Sequence, residues 1–160
     1  MPDLNWLELA LIRHGIAEPR DQGLDHPDRA LTQRGRARTQ AVMQALVRRG
    51  LELDRLISSP YRRAVETGQL ALQAGLAPQL DCDQRLCPAG IPAQLLPSLQ
   101  GRVGLVGHEP DLGDLACRLL GLAPGSIPLK KAGLVLLRRA ERRWQLEAVL
   151  RPGLLLERSD

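Results

Sequence analysis

Short apolar runs alternate along this chain with longer segments whose apolar residues recur at helical spacing. The first run, Leu7–Ile12 (LELALI), stops at Arg13 and has the length of a buried strand. Similar runs follow at intervals along the chain. The strands predicted before residue 110 are Leu7–Ile12, Arg55–Ser58, a weaker one at Pro78–Cys82, and Arg102–Val106.

The segments between these runs begin and end with helix signals. Thr32 is a typical N-cap for the first helix, and Gly50, Gly75 and Gly121 are placed to end three of them. The predicted helices are Gln33–Arg49, Tyr61 or Arg62 to Ala74, a short one at Ala93–Leu99, and Pro110 or Asp111 to Leu120.

The pattern changes near the C-terminus. Gly133–Arg138 and Arg143–Leu150 are extended runs separated by a charged turn, which predicts a hairpin. Strands that alternate with helices indicate an α/β fold. The sequence therefore predicts a single three-layer domain over residues 1–160. Helices flank a mostly parallel central sheet, the C-terminal antiparallel hairpin lies at its edge, and 151–160 form a tail.

Composition narrows the possible partners. The chain has 160 residues, of which 44% are hydrophobic and 25% charged, as in an ordinary globular domain. Aromatic residues make up 2%, namely Trp6, Tyr61 and Trp144. Three scattered rings do not form the stacking platform of a single-strand binder. The net charge is +4, but the arginines are dispersed, so no nucleic acid partner is predicted.

Other features predict a cytoplasmic location. No run approaches the ~20 apolar residues of a membrane span, so no membrane partner is expected. The N-terminus lacks the basic segment and cleavage site of a secretory signal. Cys82, Cys87 and Cys117 are odd in number and lack zinc-site spacing, which indicates reduced thiols.

Candidate chemistry is concentrated where three predicted strands end. The first strand is followed by RHG at 13–15, the second by SSP at 58–60 and the fourth by GHEP at 107–110. Arg62 and Arg63 open the helix after the second strand. Ligands of open α/β sheets bind beyond these strand ends, and two imidazoles with two guanidiniums suit an anion. The carboxylates of a magnesium site and the third histidine of a zinc site are missing, so no metal or cofactor is predicted.

These residues resemble the motifs of a known family. LIRHG at 11–15 resembles the Arg-His-Gly signature of the histidine phosphatase, or phosphoglycerate mutase-like, superfamily. SSPYRRAVET at 58–67 resembles its second motif, Ser-Pro followed by Arg-Ala-x-x-Thr, and GHEP at 107–110 its third. LTxxG at 31–35 also fits. The short chain and RALT at 29–32 are similar to the SixA branch of phosphohistidine phosphatases, with Ala30 in place of the usual proline.

The resemblance implies a metal-independent reaction in which His14 is the nucleophile and becomes a transient phosphohistidine. Arg63 is preferred to Arg62 for phosphate binding, because Arg63 precedes the alanine of the second motif. His26 is interpreted as an exposed polar residue. The implied catalytic residues are Arg13, His14, Arg63 and His108, and the implied substrate contacts are Arg13, Arg63, His108 and, as a weaker candidate, Arg29.

One departure from the larger family members bears on the substrate. They carry a glutamate as proton donor in the loop after the third strand, where this chain reads RLCPAG at 85–90. Asp83 and Glu109 remain as candidates. An ester needs such an acid more than a labile phosphoramidate does, which favours phosphohistidine on signalling or phosphotransfer proteins as substrate. The alternatives are a broad-specificity phosphatase of small phosphorylated metabolites and a non-catalytic phosphate-binding interaction module.

Overall fold

The apolar run that follows Trp6 forms a central strand of a six-stranded sheet. The structure, a computed structural model, describes residues 6–156. The strands are β1 (Leu7–Arg13), β2 (Arg55–Ser58), β3 (Leu80–Cys82), β4 (Gly101–Gly107), β5 (Leu134–Ala140) and β6 (Arg143–Leu150). Their order across the sheet is β3-β2-β4-β1-β5-β6.

Strand directions follow the predicted architecture. β1, β2, β3 and β4 are mutually parallel, β5 is antiparallel to β1, and β6 pairs with β5 as an antiparallel hairpin at the edge. The fold class predicted from the sequence is therefore confirmed. Because parallel strands point the same way, the chain leaves β1, β2 and β4 at one edge of the sheet.

The described part of the chain contains four α-helices beside the sheet, and the caps of the first three match the sequence signals. The Thr32 side chain accepts a hydrogen bond from the Gly35 N–H at the start of the first helix. Gly75 and Gly121 end the next two with φ of 89° and 70°, a left-handed conformation that favours glycine. None of the helices within residues 6–156 is long and apolar enough to cross a membrane. The helices are α1 (Gln33–Arg48), α2 (Arg62–Ala74), α3 (Asp111–Leu120) and α4 (Pro152–Leu155).

Successive side chains of β1 point to opposite faces of the sheet and belong to two buried apolar cores, one on each face. Leu9 and Leu11 belong to a buried cluster that includes Leu112 of α3. Ala10 and Ile12 belong to the opposite cluster, which includes residues of α1 and α2. Aliphatic side chains dominate both cores, as the aromatic-poor composition requires. The result is the predicted three-layer arrangement.

The structure differs from the prediction at a few boundaries. The predicted helix Ala93–Leu99 is a 3₁₀ helix at Pro92–Ser98, and Pro97 inside it has no N–H for an α-helical ladder. The third strand starts at Leu80, not at Pro78. The predicted tail contains α4, whose Leu155 is buried. Residues 1–5 and 157–160 of the predicted domain lie outside the described residues.

Candidate active site

Two histidines meet where β1 and β4 end side by side. Arg13 pairs with Gly107 in the sheet register, so the following residues, His14 and His108, emerge next to each other. The His14 N–H donates to the Gly107 carbonyl at 3.0 Å. Their ring centroids are 5.3 Å apart, and both side chains are buried. The structure thus brings together the two imidazoles that the sequence placed at the same sheet edge.

The tautomer of His14 follows from its hydrogen bonds. Nδ1 lies 2.7 Å from the Gly15 carbonyl oxygen, which can only accept, so Nδ1 carries the proton. In a neutral imidazole Nε2 then carries no proton and has a lone pair that can accept a hydrogen bond. Arg63 Nε donates to that atom at 3.3 Å. Nε2 is therefore the unprotonated nitrogen of this ring.

The surroundings of His14 keep it neutral. Burial lowers the pKa of His14 from 6.5 to about 3, and the positive charges of Arg63 and Arg13 act in the same direction. The hydrogen bond to the Gly15 carbonyl opposes this shift without cancelling it. His14 thus retains its lone pair well below neutral pH.

Arg63 and Arg62 occupy opposite situations at the start of α2. Arg63 is buried and faces His14, and its guanidinium lies 5.1 Å from the centre of the Tyr61 ring. Arg62 points to the surface and pairs with Glu66, with 2.8 Å between Nε and Oε1. Arg63, the arginine preferred from the sequence for phosphate binding, lines the pocket, whereas Arg62 does not.

Asp25 joins Arg63 to Arg29 within the long loop after β1. Its Oδ2 accepts from Arg63 Nη2 at 2.9 Å, and its Oδ1 accepts from Arg29 Nε at 2.9 Å. Burial raises the pKa of Asp25, but the two guanidiniums outweigh it and hold the pKa at about 2. Arg29, the weaker candidate, lines the pocket and is held there by a carboxylate that was not predicted from the sequence. Asp25 and Arg63 are 38 positions apart, and no local pattern connects them.

His108 completes the inner wall of the pocket. Its Nε2 lies 2.8 Å from Ser59 Oγ, at the end of β2. Within residues 6–156 its Nδ1 has no hydrogen-bond partner. Burial lowers the pKa of His108 to about 4, assisted by the charge of Arg63. Like His14, His108 is therefore neutral at physiological pH.

A small pocket of about 190 Å³ contains these groups. Arg13 lines it and donates from Nη1 to the Leu129 carbonyl at 3.1 Å. Arg20 and Lys131 line it as well, although neither was predicted from the sequence. Four guanidiniums and an ammonium thus surround two neutral imidazoles. This arrangement suits an anion that carries several negative oxygens.

Thr67 and Glu66 fix the loop that carries His14. Thr67 Oγ1 accepts from the Gly15 N–H at 3.0 Å and donates to the Arg63 carbonyl at 2.8 Å. Glu66 is buried and accepts from the Leu31 N–H at 3.0 Å. Thr67 belongs to the second sequence motif, and its contacts join the first turns of α2 to the segment that carries His14.

The carboxylates weighed as proton donors differ in position. Asp83 forms an ion pair with Arg85, with 2.7 Å between Oδ2 and Nη2, and this pair holds the pKa of Asp83 at about 2. Asp83 does not line the pocket. Glu109 lines the pocket, and Oε1 accepts from the Gly113 N–H in the first turn of α3. Burial raises the pKa of Glu109.

His26 is exposed, as expected. Within residues 6–156, no group of three or more His, Cys, Asp or Glu side chains is arranged to hold a metal ion.

Comparison with known families identifies the chain. The model of the histidine phosphatase superfamily (branch 1) matches residues 9–87, from β1 to the turn after β3. The chain belongs to the histidine phosphatase superfamily. The resemblance inferred from the sequence motifs is therefore confirmed at the level of the family, and membership implies a phosphatase.

One sequence relative and two solved structures are similar to this histidine phosphatase. An uncharacterized protein from Picosynechococcus sp. is 36% identical and aligns with 87% of this chain and 89% of its own length. The protein histidine phosphatase SixA in complex with tungstate has a TM-score of 0.82 at 21% identity, covering 93% of this chain and 99% of that one. A phosphoserine phosphatase variant from Entamoeba histolytica, in complex with phosphoserine, has a TM-score of 0.75 at 18% identity, covering 94% and 100%. The structural matches show a shared fold.

Proposed function

We propose that this histidine phosphatase removes phosphate from phosphohistidine side chains of signalling or phosphotransfer proteins. In this mechanism the lone pair of His14 Nε2 attacks phosphorus as the P–N bond to the substrate imidazole breaks. The leaving imidazole takes up a proton, and water then hydrolyses the phosphoryl-His14 intermediate to inorganic phosphate. The covalent route divides one difficult step into two.

The observation that carries this proposal is the pairing of His14 Nε2 with Arg63. An unprotonated nitrogen lies 3.3 Å from a guanidinium in a pocket lined by further cations. Phosphoryl transfer depends mainly on positioning and charge stabilisation. In the proposed mechanism Arg13, Arg63 and His108 bind the phosphoryl oxygens, so that phosphorus and the leaving nitrogen lie in line with Nε2. Arg29 makes a further contact at the pocket rim.

The carboxylates support phosphohistidine as the substrate. Asp25 is bound to two arginines and has a pKa of about 2, so it does not donate protons near neutral pH. Asp83 is paired with Arg85 away from the pocket. In a phosphoramidate the leaving atom is a nitrogen that takes up a proton readily. An alkoxide leaving group, by contrast, depends on a positioned acid. The SixA fold supports the same substrate class.

Glu109 favours a second candidate, a phosphatase of small phosphate esters. Its carboxyl lines the pocket, and burial raises its pKa, the direction that favours a proton donor. The fold is also that of a phosphoserine phosphatase. In this alternative Glu109 would protonate the oxygen of a small phosphorylated metabolite.

The proposal is tested with His14→Ala. Loss of the nucleophile should lower phosphate release from phosphohistidine by at least about three orders of magnitude. Acid-labile, base-stable phosphate should become attached to the wild-type protein during turnover and not to the variant. His26→Ala, which removes an exposed histidine from the same loop, should keep both signals.

Two results would contradict parts of this assignment. Wild-type rates in His14→Ala would show that another group attacks phosphorus. A kcat/KM of the wild-type enzyme that is higher for phosphoserine or sugar phosphates than for a phosphohistidine peptide would favour the ester phosphatase instead.

A further inference from the structure

A larger basic groove lies directly beside the phosphate pocket. Its volume is about 760 Å³, compared with about 190 Å³ for the pocket itself. We define the basic groove by four side chains from separate parts of the fold. These are Arg38 of α1, Lys130 and Lys131 of the loop before β5, and Arg151 at the start of α4.

The charges of the groove are not neutralised by the described residues. No aspartate or glutamate within residues 6–156 lines the groove. In the same part of the chain, none of the four groove cations forms an ion pair, whereas Arg29, Arg36, Arg62, Arg63 and Arg85 all do. A concave surface with one sign of charge attracts ligands of the opposite sign.

The groove and the pocket are continuous. Arg13 and Lys131 line both of them. A ligand with its phosphoryl group at His14 would therefore extend its neighbouring groups along Arg13 and Lys131 toward Lys130, Arg38 and Arg151. Negative groups near the phosphate would meet a cation at each of these positions.

The remaining lining suits a protein surface better than a metabolite. Leu154 of α4 is 83% exposed at the groove, and Ile16 contributes a second apolar side chain. Lys130, Lys131 and Arg151 are also exposed. Exposed cations are individually weak, and a small ligand would need buried donors in place of them. A protein partner with an extended surface gains binding energy from several such charges together with an apolar contact.

We propose that the basic groove docks an acidic surface of the phosphorylated protein, next to its phosphohistidine. This inference rests on the proposed function and adds a substrate property to it: carboxylates that flank the phosphorylated histidine raise kcat/KM by lowering KM. The docking surface is separate from the chemistry, so it should leave turnover of small substrates unchanged.

The test uses three substrates and two matched variants. The substrates are free phosphohistidine and two synthetic peptides of equal length, each with one phosphohistidine, flanked by Asp and Glu in one peptide and by Asn and Gln in the other. The groove variant is Arg38→Gln/Lys130→Gln/Arg151→Gln. The control variant, Arg118→Gln/Arg142→Gln/Arg143→Gln, removes the same charge from exposed positions outside the groove. Lys131 and Arg13 are kept because they line the pocket.

The expected result is a preference of about tenfold in kcat/KM for the acidic peptide, as three exposed charge pairs would give. This preference should fall with added salt. It should persist in the control variant and disappear in the groove variant through a higher KM. Free phosphohistidine and the neutral peptide should be hydrolysed equally by all three proteins.

The outcomes separate this inference from the proposed function. If the wild type hydrolyses none of the three substrates, the proposed function fails. If it hydrolyses both peptides with equal kcat/KM, or if the groove variant keeps the preference, the docking inference is wrong and the function stands. Binding of a single-stranded oligonucleotide that is tighter than that of the acidic peptide, and that is lost in the groove variant, would assign the groove to nucleic acid and overturn the inference.

Discussion

Asp25 illustrates how one residue sets the geometry of a group on another element. Its carboxylate orients two guanidiniums, one from its own loop and one from α2. Arg63 in turn donates to His14 Nε2. A carboxylate with no catalytic step of its own thereby holds the arginine that faces the proposed nucleophile.

Asp25→Asn should therefore lower kcat more than it raises KM. The amide keeps the size of the side chain but loses the charge that fixes both arginines, so Arg63 is less well aligned with His14. A loss of about ten- to a hundredfold in kcat is expected from misplacement of this kind. Steady-state kinetics on free phosphohistidine measure it.

Asp28→Asn is the matched control for this change. Asp28 lies in the same loop and pairs at the surface with Arg62, 3.6 Å between Oδ1 and Nη1. Its activity should equal that of the wild type. Equal kcat values for the two variants would show that Asp25 does not position Arg63.

At the scale of elements, α1 packs unusually close to the loop that carries His14. A Cβ built on Gly35 would lie within 2.0 Å of the Ile16 carbonyl oxygen, and one on Gly15 within 2.2 Å of Thr39 Oγ1. These two glycines allow the first two turns of α1 to lie against the segment after β1. The loop of the candidate nucleophile is thus held between α1 and, through Thr67, α2.

Gly35→Ala should destabilise the protein by about 1–3 kcal/mol, the usual cost of overpacking. The added methyl group meets backbone atoms, which cannot rotate away. Urea unfolding of the variant and the wild type measures the difference. Gly153→Ala in α4 is the control, because its Cβ would meet no atom of residues 6–156 within 4 Å. If both alanine variants were as stable as the wild type, the close approach would not restrict this position.

Elements with strong local signals were predictable from the sequence, and contacts across the chain were not. β1 and α1 are defined by an apolar run and by a capped helical pattern, both within a few residues. The strand ends then placed His14 and His108 together, because parallel strands share an edge. The bond between Asp25 and Arg63, and the basic lining by Arg20 and Lys131, depend on how loops fold back over the sheet, and no periodic pattern records that.

At the scale of the whole molecule, the buried histidines make stability depend on pH. His14 has a pKa of about 3 and His108 of about 4, whereas both have about 6.5 in the unfolded chain. Below pH 6.5 the unfolded chain binds protons that the folded state does not. The free energy of unfolding should therefore fall as the pH is lowered from 6.5 toward 4.

Each histidine is expected to lower the free energy of unfolding by about 1–2 kcal/mol at pH 5 relative to pH 7. Urea unfolding at the two pH values measures this loss in the wild type. The double variant His14→Gln/His108→Gln should lose less stability between the two pH values. This comparison separates the effect of the histidines from that of buried carboxyls such as Glu109, whose raised pKa stabilises the fold as the pH falls. An equal loss in both proteins would mean that the two imidazoles are protonated in the fold.

The few aromatic residues are distributed so that the two ends of the sheet differ spectroscopically. In the sheet register Trp144 is opposite Arg139, and Arg139 is opposite Leu7 at the start of β1. The Trp6 carbonyl accepts a hydrogen bond from the Gly101 N–H at the start of β4. Both indoles thus lie at the edge opposite His14. Tyr61, by contrast, is 5.3 Å from the His108 ring. Tryptophan emission therefore reports the integrity of the fold, while the phenol of Tyr61 is the natural optical probe of whatever enters the pocket.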